Sequence, residues 1–229
     1  MPRNIAIIVA AGTGTRFGGD LPKQYLPLGK SRKPVLMHTV SAFASAGFEP
    51  GDIYLVLSKD MRDFWAGQCA SNGFVSPRVI DGGATRFNSV KNALNAIDLQ
   101  PDDRVLIHDG ARPLVNPQLI ARVVDTLNHK NAVIPVIPVT DSLRVTEGCD
   151  RSAPVDRSVY RAVQTPQGFT AQILKRAYDT DYKPEFTDDA SVVENSGIEV
   201  SIVDGDRDNI KITAPTDLIV AEALLKSKE

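Results

Sequence analysis

The sequence is short of the features that mark several protein classes. It holds two cysteines in 229 residues, Cys69 and Cys149, far apart and in no paired motif. That usage argues against a disulfide framework or a thiolate metal site and fits a reducing cytoplasm. A surplus of one charge is also missing, since 26 Lys and Arg stand against 28 Asp and Glu for a formal net charge of −2. No broad field therefore draws the chain to nucleic acid or anionic lipid, and an anionic ligand has to be held by a local cluster of cations. Long hydrophobic runs are lacking as well. The apolar stretch from Ile5 to Ala11 is too short to span a membrane, and no cleavage-site pattern follows it. Repeats and low-complexity tracts are absent. What remains is an ordinary globular composition, 42% hydrophobic and 24% charged, long enough to bury a substantial core. These absences predict a soluble, intracellular chain with no membrane or nucleic-acid partner.

Short β-branched runs alternate with amphipathic stretches. Strands are predicted at Ile5–Val9, Ile53–Leu57, Val79–Ile80, Arg104–His108, Ala132–Val136 and Glu199–Val203, with a further short run at Asn209–Ile212. Helices are predicted near Val35–Ala46, Arg86–Ile97, Gln118–Asn128 and Ala171–Asp179, after Thr187, and from Pro215, whose missing N–H suits a first helical turn. Continuous apolar runs separated by helical patterns point to a buried, mostly parallel, doubly wound sheet in one α/β domain. The segment from about 140 to 161 is polar, with strand-like patches at Leu143–Thr146 and Val155–Tyr160. It reads as a two-stranded β arm projecting from the body. An isolated hairpin is marginal in water, so a homodimer packed through the arm is expected.

In such a sheet ligands bind beyond the carboxyl ends of the strands. After the first strand comes Ala10-Ala11-Gly12-Thr13-Gly14-Thr15-Arg16-Phe17. Small residues there let backbone N–H groups approach phosphate oxygens, and Arg16 adds a fixed charge. A dinucleotide fingerprint would need glycine at position 17, where the chain has Phe17, and a triphosphatase loop would need Gly-Lys-Ser or Gly-Lys-Thr. Both are excluded. Lys23, in Pro22-Lys23-Gln24-Tyr25, brackets the loop from the other side. Two cations at a glycine-rich loop suit attack on a polyphosphate, where charge spreads over phosphoryl oxygens. Gly82 and Gly83 precede a helix start that carries Ser89, a seat for a base, ribose or phosphate or simply a capped turn. His108, at a strand end, is read as a packed, hydrogen-bonded histidine. The neighbouring Asp109 could hold ribose hydroxyls, a metal or an alcohol. Lys211 stands between Ile210 and Ile212, free to reach a phosphate or solvent.

Taken in order, Ala10-Ala11-Gly12, Pro22-Lys23-Gln24-Tyr25, His108-Asp109, Thr165-Pro166-Gln167, Thr187-Asp188-Asp189-Ala190-Ser191 and Asn209-Ile210-Lys211 span nearly the whole chain. They resemble the 2-C-methyl-D-erythritol 4-phosphate cytidylyltransferase family of the non-mevalonate isoprenoid pathway. The resemblance implies a Rossmann-like fold, a homodimer joined through the arm, and cytidylyl transfer from magnesium-bound CTP to methylerythritol phosphate. By it, Arg16, Lys23 and Lys211 are the catalytic cations. Ala10, Ala11, Gly12, Gly14, Gly82, Gly83, Ser89, Asp109 and Gly110 surround the nucleotide. Arg112, Ser142, Arg157, Thr165 and Thr187 match the acceptor pocket, with Arg157 delivered by the neighbouring subunit. No protein metal ligand is assigned, magnesium being held mainly by CTP phosphates with Asp109 nearby. Gly110 stands where the family usually has alanine and Ser142 where it usually has threonine, changes expected to be mild. Some members carry a second, cyclodiphosphate synthase domain, and the expectation for this chain is a single domain over 1–229.

Four rivals remain, of which a sugar-1-phosphate nucleotidyltransferase is disfavoured because those chains are usually longer and worded differently around the basic loop. A ribitol 5-phosphate cytidylyltransferase would share the nucleotide site and differ in the acceptor pocket. A binding module that had lost catalysis would lack Arg16, Lys23 or Lys211, and all three are present. A dehydrogenase is disfavoured by the absent third glycine and by the lack of an acidic residue at the end of the second strand.

Overall fold

The computed structural model describes residues 2–12, 21–148 and 150–227. Its centre is a sheet whose first strands are almost wholly apolar, as burial on both faces requires. β1 (Asn4–Val9) lies between β4 (Ile53–Leu57) and β6 (Arg104–Asp109), parallel to both, and β5 (Arg78–Asp81) extends the β4 edge. Two small strands, β2 (Pro27–Leu28) and β3 (Lys33–Pro34), pair with each other beside the sheet. β7 (Ala132–Pro138) and β12 (Ser201–Asp204) form the other end. Between β6 and β7 lies β11 (Gln167–Thr170), antiparallel to both, while β10 (Arg161–Val163) continues along β7.

Alternate residues of β1 face opposite layers. Ala6 and Ile8 join Phe43, Trp65 and Val123 from α1 (Val35–Ser45), α2 (Arg62–Asn72) and α4 (Pro117–Thr126). Ile5 and Ile7 join Phe87, Leu174 and Val193 from α3 (Arg86–Ala96), α5 (Ala171–Tyr178) and α6 (Asp189–Asn195). The terminal helix α7 (Pro215–Lys226) closes a smaller cluster over Leu28, Val35 and Ile212. The doubly wound α/β sheet predicted from the sequence is present. The chain winds from β1 outward through β4 to β5, then returns to β6 on the other side of β1. The switch point therefore falls between the carboxyl ends of β1 and β6, at Ala10 and Gly110.

Several elements depart from expectation. α2 escapes the sequence pattern because it buries only Trp65 and Cys69. The return strands β10 and β11 are too short to show a period, yet β11 fits closely: a Cβ on Gly168 would lie 2.6 Å from Val123 of α4. The hairpin is β8 (Arg144–Glu147) against β9 (Arg151–Pro154). Its second strand thus ends before 155–160, where Asp156 caps a single turn at Arg157–Val159 instead. The pairing runs out one residue further on, where the Val155 N–H donates to Leu143 O at 3.3 Å. Residues 209–212 belong to no strand and are joined to the body where the Ile212 N–H donates to Ala111 O. Among the described residues no helix is long and apolar enough to cross a membrane.

Candidate active site

At the switch point the structure forms a cavity of about 530 Å³, a volume usual for small-molecule sites. One lip is Ala10-Ala11-Gly12. The buried side chain of Gln24 donates from Nε2 to Ala10 O at 2.8 Å and to Gly12 O at 2.9 Å, fixing the path of the chain as it leaves β1. Among the described residues nothing stands within 4 Å of where a Cβ on Gly12 would lie. The next residue of the site, Lys23, lines the cavity one position before Gln24. Gly14 and Arg16 lie outside the described residues.

The opposite lip is the turn from Gly82 into α3. Thr85 caps the helix, its hydroxyl oxygen accepting from Asn88 N. The Ser89 hydroxyl accepts from Gly83 N at 3.0 Å and donates to Thr85 O at 2.9 Å. Ser89 touches the cavity, but its hydroxyl is spent on holding the glycine turn. A Cβ on Gly82 would lie 2.4 Å from Ala11 Cβ, so the two lips meet too closely for any side chain there. Gly110 is equally constrained, since a Cβ would stand 2.8 Å from Ala10 Cβ and 3.0 Å from Leu36 Cδ1. An alanine at 110 would therefore require the end of β1 or the Leu36 side chain to shift.

Asp109 is the electrostatic centre. Lys211 Nζ lies 2.9 Å from its Oδ2, Arg112 Nε 3.3 Å from the same oxygen, and Arg86 Nε 3.6 Å from Oδ1. Burial alone would raise the Asp109 pKa, but the charges of Arg86, Lys211 and Arg112 outweigh it and hold the carboxyl well below its usual range. Lys211, its side chain still 37% exposed, thus pairs with this carboxylate at the cavity wall. Arg112 is also anchored through Nη1 to Asn209 O at 2.8 Å. Among the described residues there is no group of three metal-ligating side chains.

His108 is fully buried under Asp109. Its Nε2 lies 3.1 Å from Arg112 O, which can only accept, so the proton sits on Nε2. Nδ1 then accepts from the Thr165 hydroxyl at 3.0 Å, whose oxygen in turn accepts from Asp109 N at 3.1 Å. Thr165 is 5% exposed and does not line the cavity; it locks the strand end that presents Asp109. Burial pushes the His108 pKa down to about 4, with the Arg112 carbonyl and Asp109 opposing only in part. An unfolded histidine takes up its proton near pH 6.5, so stability is full above that value and declines as pH falls toward 4. We expect His108 alone to cost about 2 kcal/mol between pH 7 and pH 5. In urea unfolding His108→Asn should flatten that slope, and an undiminished slope would remove histidine as its source.

The sequence reading missed Arg86, which lines the cavity, and Asp189, which grips it. Arg86 donates from Nη1 and Nη2 to the two oxygens of Asp189 at 2.8 and 2.7 Å. Both residues sat inside motifs already singled out, but nothing in their spacing shows that α3 and α6 meet. Ser142, Arg157 and Thr187 are all exposed and lie away from the cavity lining. Arg157 donates to Thr140 O within its own chain.

A doubly wound sheet that gathers backbone turns and convergent cations at its switch point defines a Rossmann-like α/β protein built to hold a phosphorylated ligand. Comparison with known proteins names the family. The family model described as IspD, 2-C-methyl-D-erythritol 4-phosphate cytidylyltransferase, matches residues 4–227, and the chain belongs to that family. It is 50% identical over 225 residues to the 2-C-methyl-D-erythritol 4-phosphate cytidylyltransferase of Bacteroides fragilis, covering 96% of this chain and 98% of the relative. Identity to the enzyme of the same name from Porphyromonas gingivalis is 44%, over 98% and 99% of the two chains. A crystal structure of 4-diphosphocytidyl-2C-methyl-D-erythritol synthase superposes with a TM-score of 0.81 at 32% identity, covering 98% of this chain and 99% of that one. The structure of the 2-C-methyl-D-erythritol 4-phosphate cytidylyltransferase from Thermus thermophilus gives 0.74, also at 32% identity, with 97% and 99% covered.

Proposed function

We propose that the chain transfers the cytidylyl group of CTP to 2-C-methyl-D-erythritol 4-phosphate. The products are 4-diphosphocytidyl-2-C-methyl-D-erythritol and pyrophosphate, in isoprenoid precursor synthesis in the cytoplasm. The observation that carries this reading is the convergence of Lys23 and Lys211 on one cavity walled by Ala10–Gly12 and the start of α3. An oxygen of the acceptor phosphate attacks the α-phosphorus of CTP, and the bond to the β-phosphate oxygen breaks with its electron pair leaving on pyrophosphate. The acceptor phosphate is already ionised, so the step needs no protein base. The chain's task is to position the reactants and to neutralise charge on the phosphoryl oxygens, which falls to Lys23 and Lys211 and, by family correspondence, to Arg16. Cytosine fits against the small residues at 10–12, where backbone groups do the reading.

The donor set suits a magnesium ion that arrives on phosphate oxygens. Asp109 is the one carboxylate on the cavity wall among the described residues, matching the habit of Mg²⁺ to combine one or two carboxylates with substrate phosphates. When bound, the ion would draw charge from the β- and γ-phosphates and ease departure of pyrophosphate.

A homodimer through the arm completes the acceptor side in this reading. Every residue of β8 and β9 is exposed, and Val145, Val159, Tyr160 and Val163 are 50, 74, 44 and 42% exposed. Such apolar surface favours a partner. Arg157→Ala should then weaken use of the acceptor without altering CTP binding. Mixed dimers of Arg157→Ala and Lys23→Ala chains should regain one good site; absence of rescue would place Arg157 in its own subunit's chemistry or in none.

The function itself is tested by pyrophosphate release with CTP and magnesium, comparing methylerythritol 4-phosphate, ribitol 5-phosphate and no acceptor. Release with methylerythritol phosphate alone is expected. Release with ribitol phosphate would move the chain to polymer precursor chemistry, and silence with both would leave a binding module.

A further inference from the structure

Resting on the transfer reaction above, we propose that Arg86 is a positioning residue that orients Asp109, and that the buried carboxylate of Asp189 holds it to that task. Arg86 opens α3 and lines the cavity. Its two terminal nitrogens are both taken by Asp189, one on each carboxylate oxygen. A bidentate fork of this kind fixes the plane of the guanidinium. The third edge, Nε, then faces Asp109 Oδ1 at 3.6 Å. Oδ2 of Asp109 remains for Lys211 and Arg112. One carboxylate thus has each oxygen assigned, and the position of the Lys211 ammonium follows from that assignment.

Asp189 is itself immobilised. It is 0% exposed and lies outside the cavity lining. The Tyr178 hydroxyl donates to its Oδ1 at 2.6 Å. The start of α6, on which it sits, is clamped twice by Gln167 of β11, which accepts from Ala190 N at 3.0 Å and donates to Asp188 Oδ2 at 2.7 Å. The path Tyr178–Asp189–Arg86–Asp109–Lys211 therefore runs from the apolar layer under α5 to a cation on the cavity wall. A pair serving stability alone would need only the Arg86–Asp189 fork; the contact with Asp109 and the place in the cavity are what such a pair would lack. Lysine cannot reproduce the arrangement, because one ammonium cannot grip both oxygens of Asp189 and still face Asp109.

Two variants separate positioning from structure. Arg86→Lys keeps a cation for Asp189, so the melting temperature should stay close to that of the wild type while kcat falls about 10²-fold, as small misplacements in a site can cause, with little change in KM for CTP. Wild-type kcat in this variant would overturn the proposal. The double variant Arg86→Gln with Asp189→Asn replaces the buried charges by neutral amides, which removes the penalty of an unpaired charge left by either single change. Its melting temperature should recover relative to Asp189→Asn alone, and its kcat should not. Joint recovery of both would make the pair purely structural. If the wild type transfers no cytidylyl group, the functional reading falls, and crystal structures of wild type and Arg86→Lys still decide this one. A rotated Asp109 carboxylate supports the proposal; an unmoved one overturns it.

Discussion

Lys23→Ala is expected to lower kcat by about 10²–10³-fold while leaving the affinity for CTP close to that of the unaltered protein. The asymmetry follows from how the lysine is held. Its neighbour Gln24 is 4% exposed and donates to the carbonyls of Ala10 and Gly12. Tyr25, 2% exposed, packs edge-on against Phe64 with ring centres 5.5 Å apart. A backbone fixed on its C-terminal side keeps Lys23 on the cavity wall before any ligand arrives, so little backbone reorganisation is needed when charge develops at phosphorus. An interaction that strengthens only in the transition state acts on turnover rather than on ground-state binding. Steady-state kinetics with CTP varied would decide: an unchanged kcat with weakened CTP binding would make Lys23 a ground-state anchor.

The second large effect is expected at Asp109. Asparagine there leaves Arg86, Arg112 and Lys211 facing one another without their common counter-charge, and we expect a stability loss of about 3–5 kcal/mol at pH 7. The sign with pH is fixed by the depressed pKa. The native carboxyl stays ionised where an unfolded aspartate would protonate, so its contribution is complete above about pH 4 and lost only as pH falls further. Neutral and mildly acid conditions should therefore show the deficit in full. Turnover should fall by about 10²-fold as Lys211 loses its placement. Binding of free pyrophosphate without metal should tighten, because a negative charge has been removed from beside the cations. Urea unfolding, steady-state kinetics and calorimetry measure the three effects, and stability equal to wild type would show that the three cations need no counter-charge.

The sequence exposed the frame of the fold because its central strands are apolar on both faces and its helices keep one buried stripe. β1, β4 and β6 could be placed from that pattern alone. It concealed α2, where only Trp65 and Cys69 are buried, and the β10–β11 return, where two short strands carry no measurable period. At the site, the residues legible in sequence were those whose type is unusual in its place: glycines after strands, an aspartate ending β6, a lysine between isoleucines. Arg86, Asp189 and Gln167 were illegible for a physical reason, since each acts through a partner about twenty to a hundred residues away in sequence (103 residues for Arg86 and Asp189). Thr165 and Ser89 show the converse. Family wording places them around ligands, yet their hydroxyls are engaged by the Asp109 N–H, His108, the Gly83 N–H and the Thr85 carbonyl. Thr165 shapes the site from behind its wall, and Ser89 lines the cavity while its hydroxyl holds the glycine turn.

The most direct test of the transfer mechanism is to follow oxygen. Methylerythritol phosphate labelled with ¹⁸O on its phosphate is incubated with CTP, magnesium and the protein, and both products are weighed by mass spectrometry. Attack by the acceptor phosphate on the α-phosphorus places all of the label in the cytidylyl product and none in pyrophosphate. Label in the released phosphates, or a cytidine product without it, would contradict attack at the α-phosphorus by this acceptor.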